Sequence, residues 1–424
     1  MRAVSMIVSL LVCGVSLGQS TTSVSQAVER AVRLHPMLSV AQADVQGAKA
    51  RAAMLEVPYV PQVSLNAVGT AGEGAMTFAS TVMPINYWRT ERGSSGVLNA
   101  SLMWRPWSFG REAAARGIGR EEVLSAEETL AVVRQNVALS VRLAFAEALL
   151  RRETVEANKA AVESAREVER VTREQYEAGK LPEAFLFRAA ADTAEMEREL
   201  AMAEAEAASA LAMLRETMGM DQVEMFALGD WDIPLEAPAS LAEALAQSEA
   251  RPEIAAIRHA REGQELRARL AELSTRPDLA LMVMGDWMGT RGMAGETGSK
   301  VGLVVSFPLA DGGERRATRG EARAMAGKMD AEMRSIRLAV EAEVAAAWAA
   351  WQAQPAVSRA ARAGLESSSE AYRVALLRYQ EGKAILAEVT DARARLVAAQ
   401  RSIAEAEAYA RTAWSKLQRA MGRD

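Results

Sequence analysis

The sequence predicts a mainly α chain that also carries a membrane β-barrel part, to which one chain contributes four strands. Three observations lead there. The chain is written nearly twice, each copy holds a pair of alternating segments, and each pair precedes a tract of more than sixty residues dominated by helix formers. Leu34-His35-Pro36-Met37-Leu38 is answered 216 residues later by Ala250-Arg251-Pro252-Glu253-Ile254. Trp104-Arg105-Pro106-Trp107 is answered by Ser306-Phe307-Pro308-Leu309 after 202 residues, and Gln175-Tyr176-Glu177-Ala178-Gly179-Lys180 by Arg378-Tyr379-Gln380-Glu381-Gly382-Lys383 after 203. The spacing shrinks because Pro61 to Pro106 carries a longer loop than its twin, Pro277 to Pro308. Length variation of this kind belongs in exposed loops.

Composition agrees. Of 424 residues, 50% are hydrophobic, only 5% aromatic and 25% charged, which suits long helices better than an aromatic-rich enzyme core. A formal net charge of −5 and a pI near 5.6 argue against nucleic acid as a partner, since no basic block provides the face it requires.

Taken in order, residues 1–18 read as a secretory signal. Arg2 precedes the apolar run Val4 to Leu17, and Ser16-Leu17-Gly18 supplies small residues for cleavage before Gln19. The sole cysteine, Cys13, lies inside it, so the exported form is expected to hold no thiol. Lipid anchoring at Cys13 is the weaker reading, because Val12 stands where a small residue is wanted.

Residues 19–220 form the first repeat: a helix, a strand pair within about 60–107, and a long helical hairpin over 112–218. In the strand pair, Val63, Leu65 and Ala67 share one face against Ser64 and Asn66, and Leu98, Ala100, Leu102 and Trp104 share one face against Asn99, Ser101 and Met103. From Glu112 to Ala178 there is no proline, so the tract reads as one helix on the order of 100 Å long. A Gly turn and a returning helix, Glu183 to Met218, complete an antiparallel hairpin. Ala201, Ala205, Ala208 and Ala212 are expected to form its contact seam. Asp221 to Ser240, with Pro234 and Pro238, is the inter-repeat linker.

Residues 241–424 repeat the plan, with a helix, a strand pair at about 278–308 and a hairpin over 314–421. Leu279, Leu281, Val283 and Trp287 share a face, as do Val301, Leu303, Val305 and Phe307, while Asp278, Asp286, Lys300 and Ser306 oppose them. Pro355 is expected to kink or break the long helix near Gln354. Alternation alone favours ordinary half-buried hairpins of a soluble domain. The context reverses that preference, because long helices without a sheet-covering pattern leave four strands little core to bury. Closed membrane barrels need about eight strands or more, so several chains must contribute to one barrel. Trp104, Trp107, Trp287 and Phe307 would then sit at the lipid headgroups. No later stretch offers the roughly 20 consecutive apolar residues of a membrane-spanning helix.

With these features in this order, the chain resembles the TolC family of bacterial outer-membrane efflux proteins over essentially its whole exported length. The strand-to-helix junction Phe307-Pro308-Leu309-Ala310-Asp311-Gly312-Gly313-Glu314-Arg315-Arg316-Ala317, and Tyr379-Gln380-Glu381-Gly382 followed by Glu388-Val389-Thr390-Asp391-Ala392, carry the resemblance most specifically. It implies a homotrimer in which three sets of four strands close a twelve-stranded barrel in outer-membrane lipid, above a periplasmic tunnel of helices. Its partners would be a periplasmic membrane-fusion adaptor and an inner-membrane pump, of the RND type or another class. The adaptor-contact tips would be Tyr176, Gly179 and Lys180 in the first copy and Tyr379, Gly382 and Lys383 in the second, although each glycine also serves simply to end a helix. Glu388 and Asp391, three apart on one helix face, would form an acidic ring at the tunnel entrance. A solvated face with Arg393 and Arg395 nearby is the competing reading, and the residues leave both open. The first copy has Phe185 and Arg188 at the matching positions.

Catalytic motifs are missing from the sequence. His35 and His259 stand far apart without a cysteine or a paired carboxylate motif, so a zinc site, a catalytic triad and a cofactor are not expected. Met282, Met284, Met288 and Met293, with Met76 and Met83, suit Cu(I) by their thioethers, but filling of barrel and loop space is the preferred reading. The short length is similar to CzcC-like heavy-metal members. The functional expectation is an outer-membrane exit duct for small molecules or metal ions, driven by a partner pump. The alternative is a soluble periplasmic helical scaffold, and a stand-alone porin is disfavoured because most of the chain is helix.

Overall fold

The structure, a computed structural model, describes residues 21–78, 86–290, 295–307 and 310–423. The signal segment with Cys13, together with Met83, Met293, Pro308 and Leu309, lies outside the described residues. The chain runs β1 (Thr21–Thr22), α1 (Val24–Leu34), α2 (Pro36–Glu56), β2 (Gln62–Phe78), β3 (Asn86–Trp107), α3 (Arg111–Glu177), α4 (Glu183–Thr217), β4 (Ala227–Leu228), α5 (Leu241–Ser248), α6 (Pro252–Leu273), β5 (Asp278–Thr290), β6 (Glu296–Ser306), α7 (Glu314–Gln380) and α8 (Leu386–Ala420). Pro36 and Pro252 each open a helix, where the missing N–H costs nothing.

Two compact units form, and each draws on both sequence copies. The first comprises residues 1–40, 131–251 and 338–424. Its core is an amphipathic stripe of α3, Val137, Val141, Phe145, Ala148 and Leu149, packed on Val24, Ala27 and Ala31 of α1 and on Leu214 and Met218. Ser23 opens α1 with a capping box, its side chain and that of Gln26 each taking the other's backbone N–H. The linker is pinned rather than loose. Trp231 stands edge-on to Phe145 at 6.4 Å and to Trp414 at 6.2 Å, and Trp414 Nε1 donates to the Glu236 carbonyl at 2.7 Å. β1 and β4 pair in parallel, and Gly229 lies so close that an added Cβ would stand 2.7 Å from the Thr22 carbonyl oxygen.

The second unit, residues 41–130 and 252–337, holds one four-stranded sheet in the order β2-β3-β5-β6, antiparallel throughout. Strands of the two copies meet at its centre, with Leu102 opposite Val283. A bulge between Trp104 and Trp107 restores Trp107 to the row of Leu279. Asp278 anchors the start of β5, accepting from Arg105 Nε at 3.1 Å and Arg111 Nη2 at 3.0 Å.

Two sequence expectations need correction. α7 runs unbroken through Pro355. Proline removes the hydrogen bond to the Trp351 carbonyl, but Pro355 is exposed and the helix continues past it, so the expected break does not occur. In α4 the buried stripe is Ala203, Ala210 and Leu214, while Ala201, Ala205 and Ala208 face solvent in the single chain. The seam is a row of small residues, as expected, but on a different phase of the helix.

Candidate functional site

Two surfaces are candidates for function, one in each unit. In the first unit, the turns joining α3 to α4 and α7 to α8 are built alike. Gly179 and Gly382 adopt left-handed backbone, at φ 70° and 73°. The amide of Gly179 donates to the Tyr176 carbonyl and that of Lys180 to the Gln175 carbonyl, both at 2.8 Å. In the second copy Gly382 donates to Tyr379 at 3.0 Å and Lys383 to Arg378 at 2.7 Å. These are the two hydrogen bonds of a Schellman ending, which glycine closes without strain. Both glycines face open space, so nothing but the backbone demands them.

Beneath the turns lies a small core of Val168, Val171, Ala189, Tyr379, Leu386 and Val389, with Phe185 and Tyr372 packed on it. Here the two equivalent tyrosines part company. Tyr176 is 37% exposed, but Tyr379 is 2% exposed and its hydroxyl meets Thr172 Oγ1 at 2.6 Å. Gln175 Nε2 donates to the Tyr379 carbonyl at 3.0 Å, tying one turn to the other. Tyr379 therefore does not present a ring at the tip surface of this chain. It supports the turn from below, whereas Lys180 and Lys383 are exposed, the latter paired with Glu381 at 2.8 Å.

Glu388 and Asp391 share the exposed face of α8, opposite buried Val389 and Ala392. Each has a basic neighbour, Glu388 with Arg378 at 3.4 Å and Asp391 with Arg395 at 3.0 Å. Exposed pairs of this kind are weak, so both carboxylates keep most of their outward field. Arg393 does not join them. It is buried and pairs with Asp192 of α4, holding the two returning helices together.

In the second unit, the sheet presents one continuous apolar face to the surroundings. Val63, Leu102, Val283 and Val301 lie in one cross-strand row, flanked by Leu65, Leu98, Trp104, Leu281, Trp287, Leu303 and Val305. Val63 is 76% exposed and Val301 74%, which in water would be an unusually large apolar patch. The opposite face is mixed and carries the polar side chains of the sheet. Ser64 and Ser101 share a hydroxyl hydrogen bond of 2.7 Å, Asn99 donates to Asp286, and Lys300 lies in the Ser101 row. Met282 is buried on this side, opposite Met103, which fits space filling. No helix among the described residues is long and apolar enough to cross a membrane.

At the start of α7 the Asp311 carboxylate gathers the Gly313 and Arg315 amides, at 3.1 and 3.0 Å, and the Arg315 guanidinium. The Arg315 side chain, then those two amides, hold its carboxyl well below the usual carboxylate range. No sequence motif pairs His259 with a carboxylate, but the fold does: Glu121, 138 residues distant in the chain, lies at 2.7 Å from its Nδ1.

The sequence profile of the outer membrane efflux protein family matches residues 27–220 and 242–423. No curated protein sequence matches the chain. Among solved structures, the outer membrane protein VceC of Vibrio cholerae superposes with a TM-score of 0.76 at 20% identity, covering 94% of this chain and 96% of its own. The outer-membrane channel OprN gives 0.77 at 21% identity, over 95% of this chain and 90% of its own, and CusC gives 0.78 at 17%, over 96% and 93%.

Proposed function

Because the chain belongs to the outer membrane efflux protein family, we propose that it is the exit duct of a tripartite efflux system, passing small molecules or metal ions out under the power of a partner pump. Members of the family are channels rather than enzymes, placed in the outer membrane with their helical part in the periplasm. They are trimeric and work with an adaptor and an inner-membrane pump.

One observation carries the reading for this chain, the apolar face of a four-stranded sheet with two open edges, β2 and β6. In hydrocarbon each unpaired backbone group costs several kcal/mol, so an open edge is not tolerated there. Four strands do not close by themselves. Pairing β6 of one copy with β2 of the next removes every edge at three copies and twelve strands, leaving the valine and leucine rows toward lipid and the Ser64, Asn99 and Asp286 face toward the lumen. A soluble scaffold would gain nothing from that apolar face and would aggregate through it.

The exposed turns at Gly179 and Gly382, with Tyr176, Lys180 and Lys383, are proposed as the adaptor contacts, with Tyr379 as their internal support. Glu388 and Asp391 are proposed as the acidic ring of the entrance. Such a duct supplies a path and no chemistry, and choice of cargo belongs to the pump. Expression with a cognate adaptor and pump in cells lacking their own duct tests the reading. Export restored, with the protein recovered as trimers in the outer-membrane fraction, is expected. Recovery as a soluble periplasmic monomer contradicts it.

A further inference from the structure

In the second unit, α3 and α6 pack closely. Ser125 Oγ donates to the Ala256 carbonyl at 3.0 Å, and Gly263 sits so near α3 that an added Cβ would lie 3.7 Å from Glu121 Cβ. At this crossing α6 supplies His259 and Glu262, three residues apart and so on one helix face, and α3 supplies Glu121. One ligand atom from each lies within 4.8 Å of the other two, and His259 Nδ1 is 2.7 Å from Glu121 Oε2. All three side chains are half-buried.

The surrounding charges do not account for the cluster. Adjacent Glu122 is held by Arg51 at 2.5 Å and approached by Arg267 at 3.6 Å, but among the described residues no lysine or arginine pairs with Glu121 or Glu262. The Glu262 side chain makes no hydrogen bond or ion pair among them. Two carboxylates and an imidazole thus converge with no structural cation between them.

From this we propose that Glu121, His259 and Glu262 bind a first-row divalent transition-metal ion such as Zn2+. One imidazole nitrogen with two carboxylate oxygens suits Zn2+ and its neighbours better than Ca2+ or Mg2+, which take oxygen ligands, or Cu(I), which prefers sulfur. Zinc bonds of about 2.0–2.2 Å place tetrahedral ligands roughly 3.3 Å apart. The three ligand atoms already lie within 4.8 Å of one another, so a modest turn of the Glu262 side chain, with the Glu121–His259 contact opening by about half an ångström, would admit the ion. A groove of about 260 Å³, lined by Ser125, His259, Gly263 and Gln264 among others, brings solvent to the imidazole, and three protein ligands leave a fourth position for water. The ion would clip α6 to α3.

The test is independent of export. Full-length protein, purified in detergent and stripped with chelator, is titrated with Zn2+ by calorimetry, and Co2+ is used as a spectroscopic substitute. One ion per chain is expected, with affinity reduced more than tenfold by His259→Ala and by Glu262→Gln, and unchanged by His35→Ala. Because the Glu262 side chain makes no hydrogen bond or ion pair among the described residues, E262Q is expected to keep the fold and decides the matter even where H259A assembles poorly. Wild-type affinity in E262Q, or no saturable binding below about 1 mM, overturns the site whether or not the chain exports anything.

Discussion

Thr172 and Tyr379, 207 residues apart in the chain, join the α3 and α7 helices through a buried hydroxyl pair 2.6 Å long. Thr172 Oγ1 donates to the Val168 carbonyl at 2.7 Å, which leaves its lone pairs to accept from the Tyr379 hydroxyl, so the pair is anchored on one side. Removing only the phenol oxygen in Tyr379→Phe should cost about 1 kcal/mol, the net value of one hydrogen bond. Tyr379→Ala should cost about 3 kcal/mol or more, because the ring fills the core beneath both turns. Hydrogen exchange of the turn amides reads both, with roughly fivefold faster local opening for the phenylalanine variant. Unchanged exchange in Tyr379→Ala would show that the ring does not support the turns.

The two left-handed glycines face open space, so a side chain there meets a backbone penalty, not a clash. Leucine at Gly179 and Gly382 should cost roughly 1–2 kcal/mol per site, leave trimers in the membrane, and abolish export. Export unimpaired in the double variant, measured in cells with adaptor and pump, removes the turns from the adaptor contact.

For the sheet, the face of a residue decides its tolerance. Val301→Arg or Val63→Arg places a charge against lipid, at about 2–4 kcal/mol near the bilayer midplane, and should lower the yield of assembled trimer. Ser64→Arg lies on the opposite, polar face and should assemble normally. Equal yields for V63R and S64R contradict the assignment of faces.

Glu388→Gln with Asp391→Asn removes two carboxylates per chain, six in a trimer. In planar bilayers the concentration of trivalent cation giving half-block should rise severalfold. Arg378 and Arg395 already pair with these acids, and identical block in the double variant would mean that the pairs neutralise them.

The depressed carboxyl of Asp311 makes a signed pH prediction. Its folded value lies below the unfolded one, near 4, so its contribution is fully present above about pH 5 and is lost as pH falls through the folded value. Asp311→Asn should therefore lower the thermal midpoint at neutral pH, and the gap to wild type should narrow below about pH 4. A gap that widens on acidification contradicts this assignment.

Much of this architecture was legible because it is local. Val63 and Leu65, or Leu279, Leu281 and Val283, declare a strand face by alternation alone, and the proline-free run from Glu112 declares α3. Pairing between the copies is different in kind. Nothing near Leu102 names Val283 as its partner, and nothing near His259 names Glu121, since both meetings depend on elements far apart in the chain. Tyr176 and Tyr379 occupy equivalent motifs yet differ in burial, because only Tyr379 has Thr172 to receive its hydroxyl. Pro355 shows the limit of a local rule: proline costs one helix hydrogen bond, yet at this exposed position α7 continues without a break.

Counting chains in particles extracted from the outer membrane, by native mass spectrometry in lipid-mimetic detergent, tests most directly the closing of one barrel from three open sheets. Three copies per particle, falling apart when Val301 is replaced by arginine, is the predicted result. A single chain that stays dispersed after the detergent is removed would contradict it.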